Sequence, residues 1–397
     1  MKKTLVWLGA LLAGTLLGMM NMGQLNAAAD AIAAVYIRLF QLLAVPTIVL
    51  AVTTTMATMG ASRDTGRIFR RTLTYTLLTT VCAAATGALL YVVVSPQAES
   101  LQSQLPSLPS GADGGYFGHL ISVVPDNIVR PFLEGNVLSL LLVAFAAGIG
   151  LSRLPETEEK AAVVKLLTGL QELVFLLIGW LVRTLPVGII AFAAQLSAQL
   201  SAGVMAESLG KYILVVLGSN IVQSFIILPL FLTARGLNPL RVLRCMSPAV
   251  LTALFTKSSA ATLPVTMEAA ERRLGVRREV ARFVLPICTT INMNGCAAFI
   301  LVTSLFVMQG GGTPVTFGTI LVWLLVSVVS AVGNAGVPMG CYFLTFSLMS
   351  GIGAPVAVLG LILPVYAVID MVETAENVWS DSCVCAMTDY DLKGETL

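Results

Sequence analysis

Charge is what this 397-residue sequence lacks most: 11% of its residues are charged, against roughly a quarter in a soluble domain. That excludes an ordinary cytosolic enzyme and a disordered chain. The formal net charge of +2 leaves no basic excess to attract a polyanion, so nucleic-acid binding is excluded too. There is one histidine, His119, too few for a histidine-based metal or catalytic centre. The seven cysteines are an odd number, set in apolar runs without repeated metal-ligand spacing. Neither a disulfide framework nor a zinc site is expected from them. With 57% hydrophobic residues and a mean hydropathy of +0.89, the chain reads as an all-α polytopic membrane protein.

A bilayer core of about 30 Å takes about 20 apolar residues per helix. Apolar stretches run over Leu5–Met22, Ile32–Met59, Thr72–Val94, Val137–Leu151, Leu166–Ala194 and Tyr212–Leu232. The first, behind Lys2 and Lys3, is read as a spanning helix rather than a cleaved signal, because another long hydrophobic segment follows almost at once. Basic residues group at Lys2–Lys3, Arg63–Arg71, Arg153–Lys165, Arg235–Arg244 and Arg272–Arg282, while Ser95–Ser122 and Gln309–Thr316 have none. By the positive-inside rule the basic groups and both termini are cytoplasmic and Ser95–Ser122 is external.

The second absence is sharper. From Phe283 to Leu392 there is no Lys or Arg, yet Asp370, Glu373, Glu376 and Asp381 stand near the end of that stretch. Ionisable groups inside spanning segments mark substrate or ion pathways by default. These carboxylates have no local cation, so an imported cation is expected. At about 100° per residue, Asp370, Thr374, Asn377 and Asp381 share a sector of about 60° on a helix, flanked by Glu373, with Glu376 well off it.

Upstream, Asn292-Met293-Asn294-Gly295-Cys296 interrupts the apolar segment Phe283–Val307. Such an interruption frees backbone carbonyls, which are tolerated at membrane depth only when buried in protein or lining a cavity. Two other segments read as re-entrant hairpins with arms of about 12–15 residues, too short to cross. Their tips are Thr256–Pro264, including Lys257, Ser258 and Ser259, and Gly333–Gly340. Two interrupted segments, each before a polar-striped helix, are the mark of an inverted-repeat transporter core.

Together these motifs resemble the dicarboxylate/amino acid:cation symporter family, which includes the glutamate transporters. Lys257–Thr266 looks like its serine-rich first-hairpin motif, and Asn292–Cys296 is similar to its Asn-Met-Asp-Gly-Thr motif. Gly333–Gly340 resembles the second-hairpin tip, and Asp370–Asp381 matches the last-helix pattern Asp-x-x-Arg-Thr-x-x-Asn-x-x-x-Asp apart from one position. The resemblance implies eight transmembrane helices plus two hairpins, working as an elevator in a homotrimer in the inner membrane. Residues 1–71 and 96–200 would form the scaffold, and 72–95 with 201–397 the transport domain. Ser259, the backbone near Val337 and Asn377 would hold a substrate α-carboxylate, and Asp370 with Thr374 the α-amine. One sodium would sit among carbonyls of Cys288, Asn292 and Asn377 and the Asp381 carboxylate. A second would lie between carbonyls of Thr290, Ala331, Val332 and Asn334. No organic cofactor is implied.

The departures from the family pattern concern specificity. Glu373 stands where acidic-substrate members have an arginine, Cys296 replaces their threonine, and Cys341 the glycine across the pocket. Facing carboxylates in a dry pocket repel, so a neutral or cationic amino acid is expected over an acidic amino acid or dicarboxylate. Lys257 either pairs with Glu373 or reaches solvent along its stem. Asn294 replaces the aspartate of the third sodium site, near Thr76, Thr79 and Thr80. One or two coupled sodium ions are therefore expected, with a proton as the alternative to a missing one. A channel and an intramembrane hydrolase with Ser258 or Ser259 as nucleophile are the rival classes. Aspartate uptake is expected to be weak; strong aspartate uptake that survives Glu373→Gln would contradict the reading.

Overall fold

The apolar stretches become long helices, because a chain without water around its backbone satisfies its N–H and C=O groups within each helix. The computed structural model describes residues 2–20, 22–59, 66–96, 124–134, 137–200, 204–332, 334 and 339–393. His119, Arg63, Val337 and nearly all of the Ser95–Ser122 segment lie outside the described residues. Among the described residues every regular element is helical.

The first half comprises α1 (Lys2–Met19), α2 (Gly23–Met59), α3 (Gly66–Val94), the short α4 (Arg130–Glu134), α5 (Val137–Arg153) and α6 (Glu158–Leu200). It is followed by α7 (Val204–Val222), which runs through a π-helical turn (Gln223–Ile227) into α8 (Leu228–Ala234). The second half comprises α9 (Pro239–Thr256), α10 (Ser259–Glu268), α11 (Arg278–Ile291), α12 (Asn294–Gly310), α13 (Phe317–Val332), α14 (Gly340–Gly351) and α15 (Ala357–Asp391). Among the described residues four stretches are long and apolar enough to cross a membrane: Arg67–Val94, Glu158–Leu181, Glu207–Ala234 and Arg278–Gly310.

Helices α1, α2, α5 and α6 pack on one another. Two glycines one turn apart let α1 lie directly on α6. A Cβ on Gly14 would overlap the Ile190 carbonyl oxygen, and one on Gly18 that of Ala194. Small residues at this spacing are how membrane helices gain close van der Waals contact. In a second group α12 is buried on every side, enclosed by α3, α7, α13, α14 and α15. Its polar side chains Asn294, Thr303 and Ser304 are all buried, and polar groups at membrane depth favour protein neighbours over lipid. The two groups meet where α14 packs on α2 and α15 on α6.

The first expected hairpin forms as a helix reversal. Lys257 adopts a left-handed conformation (φ 56°) that ends α9, and Ser258 caps α10 by accepting the Ala261 N–H at 3.2 Å. Helix α9 has 18 residues, more than the arm length expected; its first two turns carry the exposed Arg241 and Arg244. The second tip is flanked by arms of 16 and 12 residues, α13 and α14; residues 335–338 at its apex are outside the described residues.

Three of the basic residues gather at the end of α15. Arg71 and Arg235 lie 3.5 and 3.6 Å from Asp391, Tyr75 donates to Asp391, and Arg277 pairs with Asp389 at 2.8 Å. Lys160 has a local duty as well: its ammonium donates to the carbonyls of Ser152 and Leu154 at the end of α5, where a helix C-terminus favours positive charge.

Gly14→Leu or Gly18→Leu is expected to destabilise the protein by about 1–3 kcal/mol, as overpacking does. Gly9→Leu, where a Cβ meets nothing within 4 Å, should leave thermal unfolding unchanged, which makes it the control.

Candidate substrate and cation site

The site assembles where α12 begins, because its first turn meets the polar stripe of α15. Asn292 and Met293 leave helical geometry (φ/ψ −98°/68° and −108°/67°), and Gly295 keeps the approach close. A Cβ on Gly295 would lie 3.0 Å from the Cα of Glu373.

A cavity of about 220 Å³ is lined by Lys257, Ser259, Met293, Cys296, Asn334, Cys341, Asp370, Glu373, Thr374 and Asn377. Eight of the ten residues expected at the substrate line it. Ser258 does not, being occupied as the cap of α10, and Val337 is outside the described residues. Asp370 is buried and accepts the Met339 backbone N–H at 3.3 and 3.4 Å. Thr374 Oγ1 donates back to the Asp370 carbonyl at 2.7 Å. Asn377 Oδ1 accepts the Gly295 N–H at 2.9 Å, and its Nδ2 faces the Cys296 sulfur at 3.5 Å.

Two details differ from expectation. Lys257 acts electrostatically on Asp370 rather than on Glu373, while Glu373 Oε2 accepts from the Tyr366 hydroxyl at 3.1 Å. The oxygen Glu373 Oε1 has no partner. Cys296 and Cys341, expected as separate groups in a chain without disulfides, are bonded to each other, with Cα atoms 5.5 Å apart. The first turns of α12 and α14 bring them together, a pairing that an odd cysteine count conceals. Asn334 Nδ2 lies 3.0 and 3.1 Å from the two sulfurs. These sulfurs and a Glu373 oxygen lie within 4.8 Å of one another, but a disulfide is not a thiolate ligand pair.

Below the cavity lies a belt of amides and hydroxyls. Asn292 Nδ2 donates to Ser380 Oγ and Asp381 Oδ1, both at 2.9 Å, and Asn294 Nδ2 donates to Ser380 Oγ at 2.7 Å. Thr80 and Thr79 on α3 donate to Asn294 Oδ1 at 2.9 and 3.4 Å, and Thr79 lies 3.3 Å from Asn292 Oδ1. Thr76 is 3.9 Å from the Cys288 sulfur. All of these side chains are buried, and Asp381 Oδ2 remains without a partner. The chemistry on offer is a dry set of oxygen acceptors with unbalanced negative charge, suited to a hard cation. Of the carbonyls expected at sodium, those of Cys288 and Ala331 also accept backbone N–H groups, from Asn292 at 2.8 Å and Asn334 at 3.1 Å. A carbonyl has a second lone pair for an ion. Thr290 and Val332 are part-buried beside them.

Sequence reasoning missed Met293, Tyr366 and Ser380. Tyr366 was findable: it precedes Glu373 by two helical turns and shares its face. Ser380 stands next to Asp381, and only its partners on α11 and α12 reveal its role.

The sequence profile of the sodium:dicarboxylate symporter family matches residues 4–390. The chain belongs to that family. Among similar proteins, neutral amino acid transporter A of Homo sapiens is 29% identical over 390 residues, covering 87% of this chain and 73% of that protein. Neutral amino acid transporter B(0) of Bos taurus is 30% identical over 383 residues, covering 87% and 70%. A putative sodium-dependent excitatory amino acid transporter, glt-4 of Caenorhabditis elegans, is 31% identical over 269 residues, covering 67% and 53%. This symporter-family chain is thus a transporter, not an enzyme.

Asn292→Leu removes two donors from the Ser380–Asp381 pair, leaving buried acceptors unsatisfied at a cost of about 1–3 kcal/mol. The expected result is a lower melting temperature and a weakened sodium-induced thermal shift; an unchanged sodium shift would count against the belt as a cation site.

Proposed function

We propose that this protein is a secondary active symporter that takes up a small neutral amino acid together with sodium. The observation that carries the substrate class is Glu373, a buried carboxylate with one unpartnered oxygen in the cavity wall. An acidic side chain would meet a like charge in a dry site, which is repulsive. A hydroxyl or a small apolar side chain would not. The printed names of two of the relatives, neutral amino acid transporters, agree with this.

In this reading Asp370 takes the substrate α-amine beside Thr374, and Ser259 with the second-hairpin backbone takes the α-carboxylate. Lys257 balances Asp370 until the substrate ammonium arrives. Sodium binds at Asp381 and the Asn292 bend, with one or two ions coupled; a proton is the alternative coupled ion. The cation and the substrate are then linked through one short segment, Asn292–Cys296, which touches both.

The architecture proposed with this function is an elevator. Helices α1, α2, α5 and α6 serve as the scaffold of a homotrimer, and α3 with α7 to α15 as the moving part. The spanning helices number eight, with α9–α10 and α13–α14 as the two re-entrant hairpins. Both termini face the cytoplasm across the inner membrane. A hydrolase is disfavoured because Ser258 is spent on capping α10.

Counterflow of radiolabelled serine or alanine into proteoliposomes preloaded with the unlabelled amino acid, with sodium or choline on both sides, is the test, since only a carrier exchanges substrate across the membrane. Accumulation is expected with sodium and not with choline. Glu373→Arg should lower neutral uptake at least tenfold and raise aspartate uptake. A wild-type preference for aspartate over serine would overturn the substrate assignment.

A further inference from the structure

Around Gly295, next to Asn294 in the chain, lies a second set of oxygens that the account above does not use. Glu376 is buried, and neither of its carboxylate oxygens has a hydrogen-bond partner. Opposite it on α7, Asn220 is buried, with Oδ1 unpartnered. The orientation of that amide is fixed, because Nδ2 donates to the Val216 carbonyl at 2.7 Å and turning it over would set two oxygens against each other. Both side chains converge on Gly295. Glu376 Oε2 lies 2.6 Å, and Asn220 Oδ1 2.7 Å, from the point a Cβ would occupy there. One turn further on, in the π-helical turn that follows α7, Gln223 repeats the pattern: Nε2 donates to the Thr79 carbonyl at 3.0 Å, and Oε1 has no partner.

These are acceptors without a donor, and the nearest charges are also negative: Glu376 interacts electrostatically with Asp381 and Glu373. Three buried acceptor oxygens and a carboxylate charge need a positive centre between them. The donor set is a carboxylate and an amide oxygen, which selects a hard ion. A single carboxylate leaves a divalent ion under-neutralised, so a monovalent ion is the match. We infer that Glu376 and Asn220 form a sodium site against Gly295, distinct from the Asp381 site. Placed there, the ion is held by α15 and α7 and touches the same glycine whose N–H anchors Asn377. It would compensate for the charge absent at Asn294. The inference rests on the proposed sodium coupling only for the identity of the ion.

The test is thermal unfolding of the purified full-length protein at fixed pH and ionic strength, titrated with sodium against choline and without amino acid. An ion that binds only the folded state raises the melting temperature by mass action. Glu376→Gln is expected to raise the sodium concentration for half-maximal stabilisation at least tenfold and to flatten the titration. It should also unfold at a higher temperature than wild type in choline, because its amide can donate to Asn220 Oδ1. Asn220→Leu should shift the sodium midpoint in the same direction. Wild-type sodium midpoints in both variants would overturn the site. So would a Glu376→Gln protein that loses only a pH dependence, which would assign a shared proton instead. Asp381→Asn separates the two proposals: if it abolishes the sodium response while Glu376→Gln leaves it intact, this site fails and the proposed sodium coupling stands.

Discussion

Unbalanced negative charge in a dry interior is the constraint on which the rest of the structure depends. Helix α15 carries Asp370, Glu373, Glu376 and Asp381, each no more than 3% exposed. Among the described residues none of the four forms a salt bridge. Burying a carboxylate without a partner costs several kcal/mol even after relaxation, which is the ground for the proposal that imported cations sit among these four. The bend at Asn292–Met293, the two asparagine side chains and the absence of a side chain at Gly295 all bring oxygens or N–H groups to that helix. Among the described residues the cation that acts on these carboxylates is Lys257, which faces Asp370 electrostatically.

This arrangement links ion and substrate without a long pathway. Asn292 holds Asp381 and Ser380, while Gly295 and Cys296, three and four residues on, touch Asn377. A change on one side of the bend moves atoms on the other side by geometry alone. In the proposed account Asn294 stands in for a lost charge: two threonine hydroxyls reach its oxygen, and its Nδ2 donates to Ser380. That leaves less reason for an ion at that point and more for one beside Glu376.

Much of this was legible in the sequence because it is written along single helices. The stripe from Asp370 to Asp381 needs only the pitch of a helix, and the Asn-Met-Asn-Gly run announces an interrupted one. The serine-rich tip became a reversal at Lys257 and Ser258, as its polar residues between apolar arms implied. What stayed hidden depends on which elements lie opposite one another. Asn220 sits in an apolar stretch of α7 with no local signal, and its role appears only when Glu376 is brought against it. Lys257 was weighed against Glu373 by charge, yet the left-handed turn that ends α9 places it in the field of Asp370. Cys296 and Cys341 are 45 residues apart, and no spacing rule pairs them.

The central claim is that imported cations, not protein side chains, neutralise the buried carboxylates and thereby complete the substrate site. Equilibrium binding of labelled serine to the purified protein, measured across sodium concentrations at constant ionic strength, tests it most directly. The account predicts that affinity rises with sodium, with a log–log slope of at least one, and that binding is negligible in choline. Serine affinity independent of sodium would contradict it.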